Sequence, residues 1–83
     1  MKHYLIMCRS LTGAQRAQRL LERSLIHASA VKAPKALTRS GCGYAVRVRS
    51  EAEKAVRILR RNEIAIGKIY VSENDEEYRE VSL

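Results

Sequence analysis

Residues 44–49 read YAVRVR, and their alternation narrows what this chain can become. Tyr44, Val46 and Val48 fall on one face of an extended chain, and Arg47 and Arg49 on the other. A period of two fits a half-buried strand and no helix. The segments around it have a different period. Ala14, Ala17, Leu20, Leu21 and Leu25 recur at helical spacing, with Arg16, Arg19, Glu22 and Arg23 on the opposite side. Ala52, Ala55, Val56 and Leu59 form a second such stripe, with Arg57, Arg60 and Arg61 toward its end, where cations complement the helix dipole.

The remaining elements complete an order. Residues 3–8 (HYLIMC) are an apolar run of strand length. The first helix starts after a turn through Arg9 and Ser10: Thr12 with Gln15 fits a capping box, and Ser10 is an alternative cap. Residues 29–37 are weakly patterned. Pro34 cannot donate to a ladder, so a strand here belongs at a sheet edge. Ser50 with Glu53 reads as the capping box of the second helix, and Asn62 as its stop. A last strand is expected from about Gly67 within residues 64–72. The order is βαββαβ. Its most economical packing is an α+β, ferredoxin-like sandwich: a four-stranded antiparallel sheet with two helices on one face, strand 1 beside strand 3 and strand 2 at an edge. Residues 1–72 are expected to form this single domain, and residues 73–83 an acidic C-terminal tail.

At 83 residues the chain has room for one modest core and no interdomain cleft. No apolar stretch is long enough to span a bilayer. The opening MKHYLIMCRS does not read as a secretory signal, so a cytoplasmic protein without membrane association is expected. Two cysteines are too few for a disulfide scaffold. The formal net charge of +7 is unevenly spread. Residues 1–68 hold 15 basic and 4 acidic side chains, whereas residues 69–83 hold 1 basic and 5 acidic. An acidic run of this kind reads as solvated. His3 and His27 have no zinc spacing with the cysteines and read as surface or interfacial residues, so no metal and no cofactor is expected. There is no Ser-His-Asp or paired-carboxylate arrangement.

The expected topology concentrates chemistry at one end of the sheet. The loop between strands 2 and 3 lies beside the exit of strand 1 and the start of helix 1. Ser40, Gly41, Cys42 and Gly43 are thereby brought toward Cys8, Arg9, Ser10 and Thr12. A thiol near a helix N-terminus, with Arg39 and Arg9 close by, has more thiolate character. Gly41 and Gly43 remove side chains from both of its neighbours, which grants access and permits positive φ. A second reading makes Cys42 a small buried hydrophobe and the glycines ordinary hairpin residues. Cys8, at the end of an apolar strand, leans toward burial, and is a resolving partner for Cys42 if the two are close.

These residues carry a resemblance. The chain resembles the small bacterial proteins of the putative Se/S carrier-like family. The likeness runs from the YLIM strand, through the helix beginning near Thr12, to GCGYAVRV and the closing IGKIY. The family pattern is a cysteine followed by glycine at the head of the third strand, with a small or hydroxyl residue before it. Cys42, Gly43 and Tyr44-Ala45-Val46 match this pattern, and Gly41 stands at the small-residue position. The Ser10-Leu11-Thr12 turn resembles the family's hydroxyl-containing turn, and Cys8 matches nothing in it. The resemblance implies a carrier, not a catalyst. Cys42 would take sulfur or selenium as a persulfide or selenosulfide from a donor such as a cysteine desulfurase and pass it to an acceptor protein.

Two other readings use the same sequence. Arg47 and Arg49 would lie on the sheet face opposite the helices, the face through which some such sheets bind nucleic acid, although strand 3 lacks stacking aromatics there. A regulatory or homo-oligomerising domain is the other, because such sheets often pair.

Overall fold

A computed structural model describes residues 2–38 and 43–83. The elements run β1 (His3–Cys8), α1 (Leu11–Arg23), β2 (Ala28–Lys32), a short 3₁₀ turn (Lys35–Leu37), β3 (Tyr44–Val48), α2 (Ala52–Arg61), β4 (Ile66–Ser72) and β5 (Arg79–Val81). The sheet is antiparallel in the order β2-β3-β1-β4-β5. The fold is therefore α+β with two helices. The first four strands take the expected order, with β2 at an edge, and the expected count of four is corrected to five. The fifth strand comes from residues read as tail: Ile69 pairs Val81 and Val71 pairs Arg79. No described helix is long and apolar enough to cross a membrane.

Register explains the layers. Tyr4 faces Val48, Ile6 faces Val46 and Cys8 faces Tyr44, so these side chains share one side of the sheet. Both helices cover that side. Ala14, Ala17 and Leu21 of α1 and Ala52, Ala55, Val56 and Leu59 of α2 are buried against Ile6, Val46, Val48 and Ile69. Full burial of Leu21 is worth about 1.5–3 kcal/mol. Between Ile6 and Cys8 the pairing with β4 shifts by one residue, from Ile69 to Ile66. Without this bulge Ile66 and Ile69, three apart, would point to opposite faces. With it, both pack against the helix-side core.

The other face is less open than a half-buried strand suggests. Leu5, Met7, Ala33 and Ala45 are buried there beneath Val31, Leu37, Tyr70 and Tyr78. This second, smaller core is built partly from residues after β4.

Helix ends depart from the sequence reading in three places. Ser10 caps α1, its Oγ accepting from Gly13 N–H at 3.0 Å, and Thr12 is an exposed residue of the first turn. The Ser50–Glu53 capping box does not form: the residue preceding α2 is Glu51, in the left-handed region at φ 55°, with no side-chain cap. Leu25 does not join the apolar stripe. It lies past the end of α1 at φ 64° and is 91% exposed.

Both helices stop in the same way. Leu25 N–H bonds Glu22 C=O at 3.0 Å and Ile26 N–H bonds Leu21 C=O at 2.9 Å. Glu63 N–H bonds Arg60 C=O at 3.1 Å and Ile64 N–H bonds Leu59 C=O at 3.0 Å. These are Schellman endings, with Leu25 and Glu63 at the position glycine usually takes. Each returns an apolar residue, Ile26 or Ile64, to the core. Gln18 of α1 accepts the Ala30 N–H at 2.8 Å, occupying a donor on edge strand β2.

Candidate functional site

The end of the sheet where β1 stops is also where β3 starts. Cys8 stands opposite Tyr44 on one side and Ile66 on the other. The β2–β3 pairing extends one bond further, Ala33 N–H donating to Gly43 C=O at 2.9 Å. The chain turns from Cys8 through Arg9 into Ser10, the cap of α1. Arg9, Ser10, Thr12, Gly13 and Arg16 line a pocket of ≈ 260 Å³, closed on its far side by Glu63, Ile64 and Ala65 of the α2–β4 connection. Three of the anticipated site residues, Arg9, Ser10 and Thr12, are thus brought together, with Arg16 added. Arg9, Ser10 and Thr12 are all exposed. The first-turn N–H groups of α1 that lack helical partners open toward this end, and they and the two arginines favour an anionic group there.

Arg39, Gly41 and Cys42 lie outside the described residues. Gly43 is described, and its own requirement for glycine is weak. Its φ is not in the left-handed region, and a Cβ built on it meets no atom of a described residue within 4 Å. Positive φ is therefore not what glycine supplies at position 43.

Cys8 is fully buried in the helix-side core, with its Sγ 3.5 Å from the Ile6 carbonyl. Its environment is apolar and closed to solvent, which raises the barrier to thiolate chemistry.

Arg47 sits where strand alternation puts it, on the face away from the helices; β3 ends at Val48, one residue short of the expected strand, and Arg49 follows in a bend. Leu5 stands opposite Arg47. Both arginines line a pocket of ≈ 220 Å³ whose other walls come from β1, β2 and the segment after β4. His3 belongs to it, and the reading of His3 as a surface residue is corrected: it is 4% exposed. Its Nδ1 lies 2.9 Å from Asp75 Oδ1 and its Nε2 3.0 Å from the Tyr78 hydroxyl, the two rings meeting edge to face. Burial, and then the Asp75 carboxylate, push the Tyr78 phenol above its ordinary value of 10.0, while Arg47 pulls it down. His27 is exposed, as expected.

Neither Asp75 nor Tyr78 was recognisable as a pocket residue from the sequence. Both fall in an acidic stretch with no strand period. The nearest local signal is Ser72-x-Asn74, whose side chains accept the N–H groups of Asp75, Glu76 and Glu77 at 2.9–3.0 Å and turn the chain back.

Comparison with curated proteins and with solved structures produced no match. A family model does match, over residues 3–71, a span that takes in β1 through nearly all of β4 and includes Cys42. The chain belongs to the family described as Putative Se/S carrier protein-like.

Proposed function

We propose that this protein is a carrier of sulfur or selenium, with Cys42 as the carrying thiol. The observation that carries the reading is membership of the Se/S carrier-like family over residues 3–71. The other cysteine of the chain, Cys8, is buried in the apolar core, which leaves Cys42 as the candidate nucleophile. The pocket of Arg9, Ser10, Thr12 and Arg16 lies at the end of the sheet where the chain re-enters β3 through Gly43, the residue bonded to Cys42.

The transfer needs no cofactor and no net redox change. The Cys42 thiolate attacks the terminal sulfur of a donor persulfide. A new S–S bond forms on Cys42, the donor S–S bond breaks, and the donor cysteine leaves as thiolate. Delivery to an acceptor thiolate is the same step reversed in role, and a selenium atom moves by the same displacement. Arg9, Arg39 and the α1 N-terminus favour the anionic forms. Gly41 and Gly43 keep the approach clear of side chains. The chemistry makes the protein a stoichiometric carrier and not a catalyst, and a cysteine desulfurase is a suitable donor.

The test is to incubate the protein with a cysteine desulfurase and cysteine and to measure intact mass. Wild type gains one sulfur atom, and Cys42→Ser gains none. Equal labelling of the two proteins, or an unlabelled wild type, counts against the role.

A further inference from the structure

The cavity on the sheet face away from the helices shares no described lining residue with the Arg9–Ser10–Thr12 pocket, and its reading does not rest on sulfur transfer. Among the described residues three cations border it: Lys32, Arg47 and Arg49. None of their side chains makes a hydrogen bond or ion pair with a described residue. For Lys32 and Arg49, which are exposed, water satisfies the charge. Arg47 is different. It is partly buried on the second strand from the edge, between Leu5 and Ser29, and its guanidinium carries five donors in a concave setting. Arginine is seldom withdrawn from water without an anion beside it.

The acidic group present does not neutralise this cluster. Among the described residues Asp75 is the one carboxylate lining the cavity, and its Oδ1 is 2.9 Å from His3 Nδ1. The His3–Asp75–Tyr78 contacts hold the wall of the cavity, and the single carboxylate stands against three cations, so the described lining keeps a net positive charge. Arg47 lies on β3 and Arg49 just past its end at Val48, and both line the cavity, so both guanidinium groups can meet one tetrahedral anion held there. The floor beside them is apolar, from Leu5 and Val31, with Tyr78 as an aromatic wall.

We propose that this cavity binds a phosphate-class oxyanion, with Arg47 and Arg49 as its principal ligands. A phosphate monoester fits the whole lining, its phosphate on the arginines and its organic part against Leu5, Val31 and Tyr78.

The experiment is a titration followed by ¹H–¹⁵N correlation spectra at constant ionic strength, with inorganic phosphate in one arm and adenosine monophosphate in the other. The expected result is saturable shifts centred on the amides of Leu5, Arg47, Arg49 and Tyr78. Tighter binding of adenosine monophosphate, with added shifts at Val31, identifies an ester ligand; equal affinities identify the free anion, and both uphold the site. Arg49→Gln alters an exposed side chain and leaves the core intact. It weakens binding about ten-fold or more, the loss of one charge-assisted contact. Arg47→Gln does the same, and its spectrum reports whether the fold is retained. Lys54→Gln with Arg57→Gln, which removes two exposed cations of α2, leaves the affinity unchanged. Shifts that never saturate, that survive Arg49→Gln at equal affinity, or that vanish in the α2 variant overturn the proposal.

Discussion

Replacing Leu25 by glycine should stabilise this protein, although it deletes a large apolar side chain. Leu25 sits at φ 64° just past α1, where its N–H and that of Ile26 close the helix on Glu22 and Leu21. An L-residue in this region is disfavoured by about 1–2 kcal/mol, a penalty glycine escapes. Against that gain stands the greater freedom of glycine in the unfolded chain, about 0.5–1 kcal/mol. Lost burial contributes almost nothing, because Leu25 is 91% exposed. The balance is about 0.5–1 kcal/mol in favour of the variant. For a domain of this size 1 kcal/mol moves the melting temperature by about 4–8 °C, so Leu25→Gly should melt about 2–8 °C higher. Urea unfolding followed by far-ultraviolet circular dichroism should show a raised midpoint with an unchanged slope. An equal or lower midpoint at the same slope would refute the reasoning, since it would mean that the left-handed residue carries no strain or that Leu25 is covered in solution.

Other consequences are open to similar measurement. Ser10→Ala should destabilise by about 1 kcal/mol through loss of the α1 cap, whereas Thr12→Ala should leave the melt nearly unchanged; the opposite order would reassign the cap. Tyr78 holds its proton more tightly when folded than when unfolded, so its contribution is complete below about pH 10 and is lost as pH rises through the higher folded value. The alkaline fall in stability should therefore be shallower in Tyr78→Phe than in wild type, and identical slopes above pH 10 would contradict the shift. Gly43→Ala should fold with unchanged stability within about 0.5 kcal/mol, because its Cβ meets no atom of a described residue. If Gly43 serves access to Cys42, the same variant slows sulfur uptake from a desulfurase in a time-resolved mass assay; an unchanged rate removes Gly43 from the site.

The sequence by itself determined the elements whose signals are local. The alternation within Tyr44–Val48 placed Arg47 on the face away from the helices, while Arg49 falls just past the end of β3. The apolar runs bounded β1 and β4 closely, and helical spacing found both stripes that form the main core. Pro34 pointed to an edge for a strand within residues 29–37, and β2 is at the edge, ending two residues before Pro34. Those features depend on residues two to four apart, where backbone period and side-chain direction are coupled directly. Local signals misled where a terminus depends on a single dihedral: Ser50–Glu53 has the letters of a capping box, but Glu51 takes left-handed φ instead, and Leu25 continues a spacing after its helix has ended.

Only the tertiary structure decided the rest. Residues 79–81 lack the length to announce a strand, and become one because β4 offers unpaired N–H and C=O groups at the sheet edge. His3 and Tyr78 are 75 positions apart, and their contact exists because β5 and the turn at Asn74 bring the acidic segment back across β1. That return buries His3, covers the face opposite the helices and shapes the cavity at Arg47. The pocket joining Arg9, Ser10 and Thr12 to Glu63 and Ile64 likewise requires two helix ends to meet. A charge seen along the chain states what a surface can attract, and the folded register states which charges stand together and which of them are left without a partner.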